Sequence, residues 1–169
     1  MSTIDKEGTK VAMTLLHEIN QILFDDVVQR LKEHYGTVRE AWWNLGVPQT
    51  VKDNCDQQYN RDSGKFDRWQ YLYLASYQGI VPYNETNWEL FKKYYDFEGK
   101  GKRADRVRWI GRLNKIRQIT HHAEKGPLSR TDVEFVKNVH TLVKAHIQGG
   151  LEVENGKRYF AEFEQSEAA

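Results

Sequence analysis

An apolar stripe with the period of an α-helix runs from Lys10 to Tyr35. Its apolar residues recur every three or four positions, so they fall on one side of a helix. Gly36 follows directly, and glycine readily adopts the left-handed backbone conformation that ends many helices. The stripe therefore predicts one long helix with one apolar face. The residues of that face are Leu15, Leu16, Ile19, Ile22, Leu23, Val27 and Leu31.

The rest of the first 150 residues carries signals of shorter helices. The sequence Thr86-Asn87-Trp88-Glu89 has the form of a capping box, which predicts a helix from there to Asp96. Gln49–Gly64 is polar and is interpreted either as a long loop or as a weak helix. We predict an all-α bundle of five or six helices, in which Lys102–Glu124 and Thr131–Gln148 form the pair that carries the basic segment described below.

Residues 151–169 have a different pattern. Asn155-Gly156 lies between two segments that resemble strands, which is a strong local signal for a β-hairpin. Because an isolated hairpin is only marginally stable in water, it is expected to dock on the helices or to lead into further sequence. We therefore predict a helical domain over residues 1–150, followed by a short C-terminal β-hairpin, a tail or a linker.

Composition limits the class of protein. A chain of 169 residues is long enough for one self-supporting domain. Its one cysteine, Cys55, excludes an intrachain disulfide framework and fits a reducing compartment. No apolar run is long enough to span a bilayer and no signal-peptide pattern is present, so we expect a cytoplasmic protein without membrane contacts. A net charge of +1 argues against a chain that coats nucleic acid non-specifically, so nucleic-acid binding would need a local basic patch.

Such a patch is predicted in the segment from Lys100 to Arg117, which has eight basic residues and one acidic residue, Asp105. The segment also has a helical period, and Gly126-Pro127 is expected to stop its helix. The basic face would suit a phosphate-bearing partner. The expected core face consists of Trp109, Leu113, Ile116, Thr120 and Ala123.

Arg117 and His122 are the candidate catalytic pair in this helix, with His121 beside them. An arginine side chain binds phosphate through its rigid fork, and an imidazole can take or give a proton near neutral pH. Together they suit metal-independent RNA cleavage, in which the ribose 2′-hydroxyl attacks its own phosphate. The alternative interpretation is a solvated basic face whose histidines lie at a helix C-terminus, where cations are favoured anyway.

The segment Leu113–Ser129, followed by Thr131-Asp132, resembles the signature of the HEPN superfamily. Those all-helical domains have an arginine, usually a polar residue, and a histidine after about four to six intervening residues, then a short turn into the last core helix. Gln118 fits the polar position. The resemblance implies a HEPN-like bundle, a homodimer in which two copies of the motif form one composite site, and often a metal-independent endoribonuclease. Arg117 would hold the scissile phosphate and His122 would be the general base or acid.

Helix geometry and family spacing favour different histidines. On an unbroken helix Arg117 and His121 are four residues apart and share a face, whereas His122 is rotated away from Arg117. Family spacing selects His122, with His121 as a supporting donor. A helix that ends near Thr120, or a site completed across a dimer, would reconcile the two.

The leading functional prediction is an endoribonuclease of antiphage defence or of toxin-like RNA cleavage, similar to the HEPN branch found beside ATPase and restriction-type modules. We predict single-stranded RNA as substrate, no metal or other cofactor, and an ATPase, an antitoxin or a restriction-type subunit as possible partners. The side chains expected to contact nucleic acid are Arg112, Lys115, Gln118 and Lys125.

Two other functions remain open at this point. Many HEPN-like domains have lost catalysis, so the chain would also fit a non-catalytic module that dimerises and binds nucleic acid or a partner within a larger defence protein. The third hypothesis is an oligomerisation scaffold that uses the aromatic segment Trp69–Tyr77.

Overall fold

The computed structural model describes residues 5–122 and 126–163. The all-α prediction is confirmed, since these residues form helices and loops and contain no strand. Short 3₁₀ helices occur at Val38–Glu40 and Arg68–Tyr71, and a π-helical segment at Val143–Gln148. The α-helices are α1 (Lys6–Tyr35), α2 (Ala41–Gly46), α3 (Gln49–Arg61), α4 (Leu74–Ile80), α5 (Glu85–Tyr95), α6 (Arg103–Arg106), α7 (Arg108–Thr120) and α8 (Arg130–Leu142).

The long first helix is present as predicted, and the other elements pack around it. Asp5 caps its start by accepting a hydrogen bond from the Gly8 amide at 2.7 Å, and Gly36 ends it with φ +88°. Helix α1 packs along α8 and α2, and it also contacts α4 and α7. No helix of the described chain has both the length and the apolarity that a membrane crossing requires. The buried stripe of α1 includes Ala12, Leu16, Ile19, Leu23, Val27, Val28 and Leu31.

Helix α5 starts one residue before the predicted capping box. Asn84, not Thr86, is the N-cap, because its side-chain oxygen accepts a hydrogen bond from the Asn87 amide at 2.8 Å. Asn87 itself is fully buried, and its side-chain amide donates to the carbonyl oxygens of Gly46 at 2.8 Å and Ile80 at 2.9 Å. Its side-chain oxygen accepts a hydrogen bond from the Tyr35 hydroxyl at 2.5 Å. This one residue therefore joins the ends of α1, α2 and α4 to α5.

Of the two alternatives for Gln49–Gly64, the helix is correct, since α3 occupies most of the segment. Its inner face is narrow, with Val51 and Cys55 as its buried residues. The Cys55 side chain is 1% exposed, and burial, with a smaller contribution from Asp56, raises the pKa of its thiol to about 11.

Cys55 is therefore expected to resist alkylation in the folded protein. A rise of this size lowers the thiolate fraction at pH 8 by about 100-fold, and the thiolate is the reactive form. Iodoacetamide labelling followed by mass spectrometry should show slow modification in buffer and fast modification in concentrated urea. Equal rates in the two solvents would contradict the burial of this side chain.

The segment predicted as Lys102–Glu124 is broken at Val107, which separates α6 from α7. Helix α7 packs chiefly on α4 and α8 chiefly on α1, so the predicted α7–α8 pair is not the main contact of either helix. The α4–α7 contact is close, because a Cβ atom at Gly111 would lie 2.5 Å from the Gln78 side chain. Gln78 meets Gly111 with the far end of its flexible side chain, so a larger residue at this position would require that side chain to move.

The predicted C-terminal hairpin is not formed by residues 151–163. A turn is present at Asn155-Gly156, but no ladder of hydrogen bonds flanks it. Instead the Val153 amide donates to the Lys93 carbonyl at 2.8 Å and the Tyr159 amide to the Phe97 carbonyl at 3.0 Å. The segment docks on the helical core as irregular chain, and Phe160 and Phe163 pack against Phe135 of α8.

The first turn of α1 is bonded to the chain just before α8. The Asp5 amide donates to the Leu128 carbonyl at 3.0 Å, and the Leu128 amide donates to the Thr9 hydroxyl at 2.9 Å. Ser129 then caps α8 by accepting a hydrogen bond from the Asp132 amide. Leu128 is buried, so this connection is part of the core.

Candidate functional site

Arg117 and His121 lie at the end of α7, one helical turn apart. The helix ends at Thr120, and the His121 amide donates to the Arg117 carbonyl oxygen at 3.1 Å. The Nδ1 atom of His121 lies 3.0 Å from the same carbonyl oxygen. A carbonyl oxygen can only accept, so this contact is a hydrogen bond in the tautomer that carries its hydrogen on Nδ1. In the neutral ring, Nε2 is then the nitrogen that can accept a proton.

The guanidinium group of Arg117 is held against an aromatic ring. Its Cζ atom lies 5.3 Å from the centroid of the Tyr73 ring, which precedes α4. Over residues 5–122 and 126–163, no acidic side chain forms an ion pair with Arg117. A cation supported by a ring face keeps its hydrogen-bond donors for another partner.

Arg117 and His121 open into one cleft between α1 and α7. The cleft has a volume of about 250 Å³. That is below the range of roughly 300–1,000 Å³ typical of ligand sites, so the cleft suits a phosphodiester and part of a sugar better than a large cofactor. The described residues that line it include no carboxylate; they are Met13, Leu16, His17, Asn20, Leu74, Arg117, Thr120 and His121.

Two of these lining residues, His17 and Asn20, were not predicted as site residues. They lie one turn apart on α1 and are about a hundred positions away from Arg117 in the sequence. His17 is exposed, and Asn20 is partly buried, with no hydrogen-bond partner for its side-chain oxygen among the described residues. The only local signal was the placement of Met13, His17 and Asn20 on one face of a predicted helix.

His122 does not line the cleft with Arg117. It is exposed just beyond the helix, and its amide donates to the Ile119 carbonyl at 3.2 Å. The geometry within one chain thus agrees with helix spacing, which favours His121, and differs from the family spacing, which favours His122.

Of the four residues predicted to contact nucleic acid, the three that the structure describes do not line the cleft with Arg117. Arg112 packs its Cζ atom 4.0 Å from the centroid of the Phe135 ring and lies 3.7 Å from Asp132. It opens into a separate cavity of about 480 Å³ with Lys100, Arg108 and the aromatic residues of the C-terminal segment. Lys115 and Gln118 are exposed on α7 outside the cleft, and Lys125 lies outside the described residues.

The basic segment as a whole is less concentrated in space than in sequence. Arg106 forms an ion pair with Asp96 at 2.6 Å, and Arg108 forms one with Asp105 at 2.9 Å. The hydrogen bonds from Arg108 and the Lys102 amide lower the pKa of the Asp105 carboxyl, so it stays an anion beside these cations. The predicted continuous patch is therefore divided among several faces.

The aromatic segment Trp69–Tyr77, proposed as an oligomerisation surface, is largely part of the core. Trp69 packs against Trp42 and Trp43 with ring centroids 5.6 and 6.4 Å apart, and Tyr77 is fully buried. Little of this segment is left to contact another chain.

Potential metal ligands do not cluster in the described part of the chain, where no group of three or more His, Cys, Asp or Glu side chains is arranged to hold an ion.

No family model, curated protein or solved structure matches this chain.

Proposed function

We propose that this chain is a HEPN-type endoribonuclease that cleaves RNA without a metal ion, with Arg117 and His121 as catalytic residues. The observation that supports the proposal is their presence in one small cleft whose described lining has no carboxylate. A phosphodiester carries a negative charge, and a fixed cation in a partly enclosed site stabilises the additional charge of the transition state. An imidazole within reach of the same group supplies proton transfer.

The chemistry assigns a separate task to each side chain. Arg117 binds the non-bridging phosphate oxygens. Nε2 of His121 takes the proton of the ribose 2′-hydroxyl while the 2′-oxygen forms a bond to phosphorus. The bond from phosphorus to the 5′-oxygen breaks, its electron pair stays on that oxygen, and a proton is taken up there. The products are a 2′,3′-cyclic phosphate and a 5′-hydroxyl, and DNA cannot react because it lacks the nucleophile.

The wider biological role in this proposal comes from the resemblance of Leu113–Ser129 to the HEPN signature. The proposal includes a homodimer and a role in antiphage defence or toxin-like RNA cleavage. It also includes a partner such as an ATPase, an antitoxin or a restriction-type subunit. The resemblance implies a composite site with Arg117 and His122 of both copies, whereas the cleft supports Arg117 and His121 of one chain as the catalytic pair.

The decisive experiment is an RNA cleavage assay in EDTA. The wild-type protein is expected to cut single-stranded RNA and leave a 2′,3′-cyclic phosphate, detected by mass spectrometry of the fragments. A matched oligonucleotide with 2′-deoxyribose at the cleaved position should stay intact. RNA binding that weakens steeply with salt, without cleavage, would replace the nuclease with the non-catalytic binding module. Absence of both binding and cleavage would contradict both functions.

Replacing each histidine separately determines which one is catalytic. His121→Ala is expected to lower kcat/KM by about 10²–10⁴-fold, which is the usual contribution of general acid–base catalysis. His122→Ala removes an adjacent imidazole outside the cleft and is expected to keep most of the activity. The reverse result would assign catalysis to His122 and require that the site be completed by a second copy.

A further inference from the structure

One proton in the reaction has no source among the residues considered so far. The 5′-oxygen must be protonated as its bond to phosphorus breaks, because an alkoxide is a poor leaving group in water. His121 holds the proton that it took from the 2′-hydroxyl, on the opposite side of the phosphorus in an in-line reaction. A second acid is therefore needed, on the other side of the bound phosphate.

We propose that His17 is this general acid and that it acts in the same chain as Arg117 and His121, an inference that rests on the proposed function. His17 lies on α1, and its side chain lines the cleft together with those two residues of the α7 end. It is exposed at the cleft, so a bound phosphodiester can reach it. The site then has one fixed cation and two imidazoles, one from α1 and one from the end of α7.

No described carboxylate of the cleft competes with the substrate for His17. The residues one turn away on α1, at three and four positions before and after it, are all uncharged: Met13, Thr14, Asn20 and Gln21. Across the cleft, Arg117 and His121 are the titratable groups among the described lining residues. The neighbouring Glu18 contacts another histidine, since its Oε2 atom lies 2.7 Å from His140 Nε2. No described carboxylate lines the cleft to bind His17 in place of the substrate.

The proton balance closes with this assignment. The imidazolium of His17 gives its proton to the 5′-oxygen as the phosphorus–oxygen bond breaks, and His17 becomes neutral. His121 becomes an imidazolium in the same step. Proton exchange with solvent restores both side chains, so no metal, oxidant or further reactant is consumed.

A substrate with sulfur in place of the bridging 5′-oxygen tests the role of His17 directly. A thiolate leaves without being protonated, so a missing general acid no longer matters. His17→Ala is expected to lower cleavage of ordinary RNA by about 10²–10³-fold and to cleave the 5′-thio substrate at nearly the wild-type rate. His121→Ala should stay slow on both substrates. His34→Ala, which removes another exposed histidine of α1 outside the cleft lining, is the matched control.

Mixing two inactive variants tests whether the site belongs to one chain. If Arg117 and His17 act in the same chain, Arg117→Ala mixed with His17→Ala stays inactive. If they act across a two-fold dimer, half of the molecules are heterodimers with one intact site, and about a quarter of the wild-type activity returns. The return of activity would overturn the single-chain site.

The outcomes separate this inference from the proposed function. Suppose that the wild-type protein cleaves RNA, that Arg117→Ala loses this activity and that His17→Ala keeps it. This result would overturn the role of His17 alone. A loss in His17→Ala that the 5′-thio substrate does not restore would also overturn it. A wild-type protein that does not cleave RNA would overturn the proposed function and the role of His17 with it.

Discussion

Arg117→Ala is expected to lower kcat/KM for RNA cleavage by about 10²–10³-fold, with the fold unchanged. The guanidinium group is the one fixed cation among the described residues that line the cleft. This group is half-buried and packs against the Tyr73 ring. Water that enters after its removal is expected to stabilise the charge of the phosphate poorly. Initial rates on a fluorescent RNA oligonucleotide in EDTA measure the change, and circular dichroism shows that the helices are intact.

Two further variants define what Arg117 contributes. Arg117→Lys keeps the charge but loses the planar fork, and we expect it to recover only part of the activity. Lys115→Ala removes a cation from the same helix, on a face that does not line the cleft, and should retain nearly full activity. Equal losses in Lys115→Ala and Arg117→Ala would show that overall positive charge matters and that the cleft does not.

Asn87→Ala is expected to lower the free energy of unfolding by roughly 3–5 kcal/mol. The side chain is fully buried and makes hydrogen bonds to Gly46, Ile80 and Tyr35. Its removal takes the side-chain donor from the Gly46 carbonyl oxygen and one of two donors from the Ile80 carbonyl oxygen, which keeps the Tyr83 amide. It also removes one acceptor of the Tyr35 hydroxyl. An unpaired buried group costs about 1–3 kcal/mol, and each further lost hydrogen bond costs about 0.5–1.5 kcal/mol. Urea unfolding followed by tryptophan fluorescence measures the loss.

Asn54→Ala is the control for this prediction, because Asn54 is an exposed asparagine of α3. A change within about 0.5 kcal/mol of wild type is expected there, as for most surface substitutions. If Asn87→Ala unfolded at the same urea concentration as Asn54→Ala, the buried network would contribute little and the joining of α1, α2 and α4 to α5 would rest on apolar packing alone.

Local patterns predict the helices well where one face is continuously apolar. The stripe from Lys10 to Tyr35 and the glycine after it are properties of neighbouring residues, so they were visible in the sequence. The prediction of a C-terminal hairpin was wrong over residues 151–163 for the opposite reason. Its turn is local, but the backbone hydrogen bonds of the flanking segments go to Lys93 and Phe97, far away in the chain. Tertiary contacts there replaced the pairing that the turn favours.

The network around Asn87 shows the same limit. Its partners lie 7, 41 and 52 positions away, so the sequence offered only the capping pattern at Thr86. Nothing near residue 87 indicates that an amide side chain is needed to satisfy carbonyl oxygens at the ends of two other helices. A buried polar residue of this kind is identified only when the helices are assembled.

For the site, the sequence predicts Arg117 with His122, and His121 as a supporting donor, because these three residues are close in the chain. Which of the two histidines lines the cleft with Arg117 depends on where α7 ends. The presence of His17 in the cleft depends on how α1 packs against α7. The eight basic residues from Lys100 to Arg117 predicted one continuous patch, but their side chains are divided among several faces. Charges that are close in sequence, such as Arg112 and Arg117 five positions apart, lie on different faces of α7 and reach different cavities.

The bonds between Leu128 and the first turn of α1 bear on how tightly the cleft can bind. Leu128 lies just before α8, and it is bonded to Asp5 and Thr9, at the start of the helix that carries His17. The start of α1 is thus tied to the start of α8 before any ligand arrives. For a phosphodiester that enters the cleft, little conformational entropy would be lost in ordering the α1 wall.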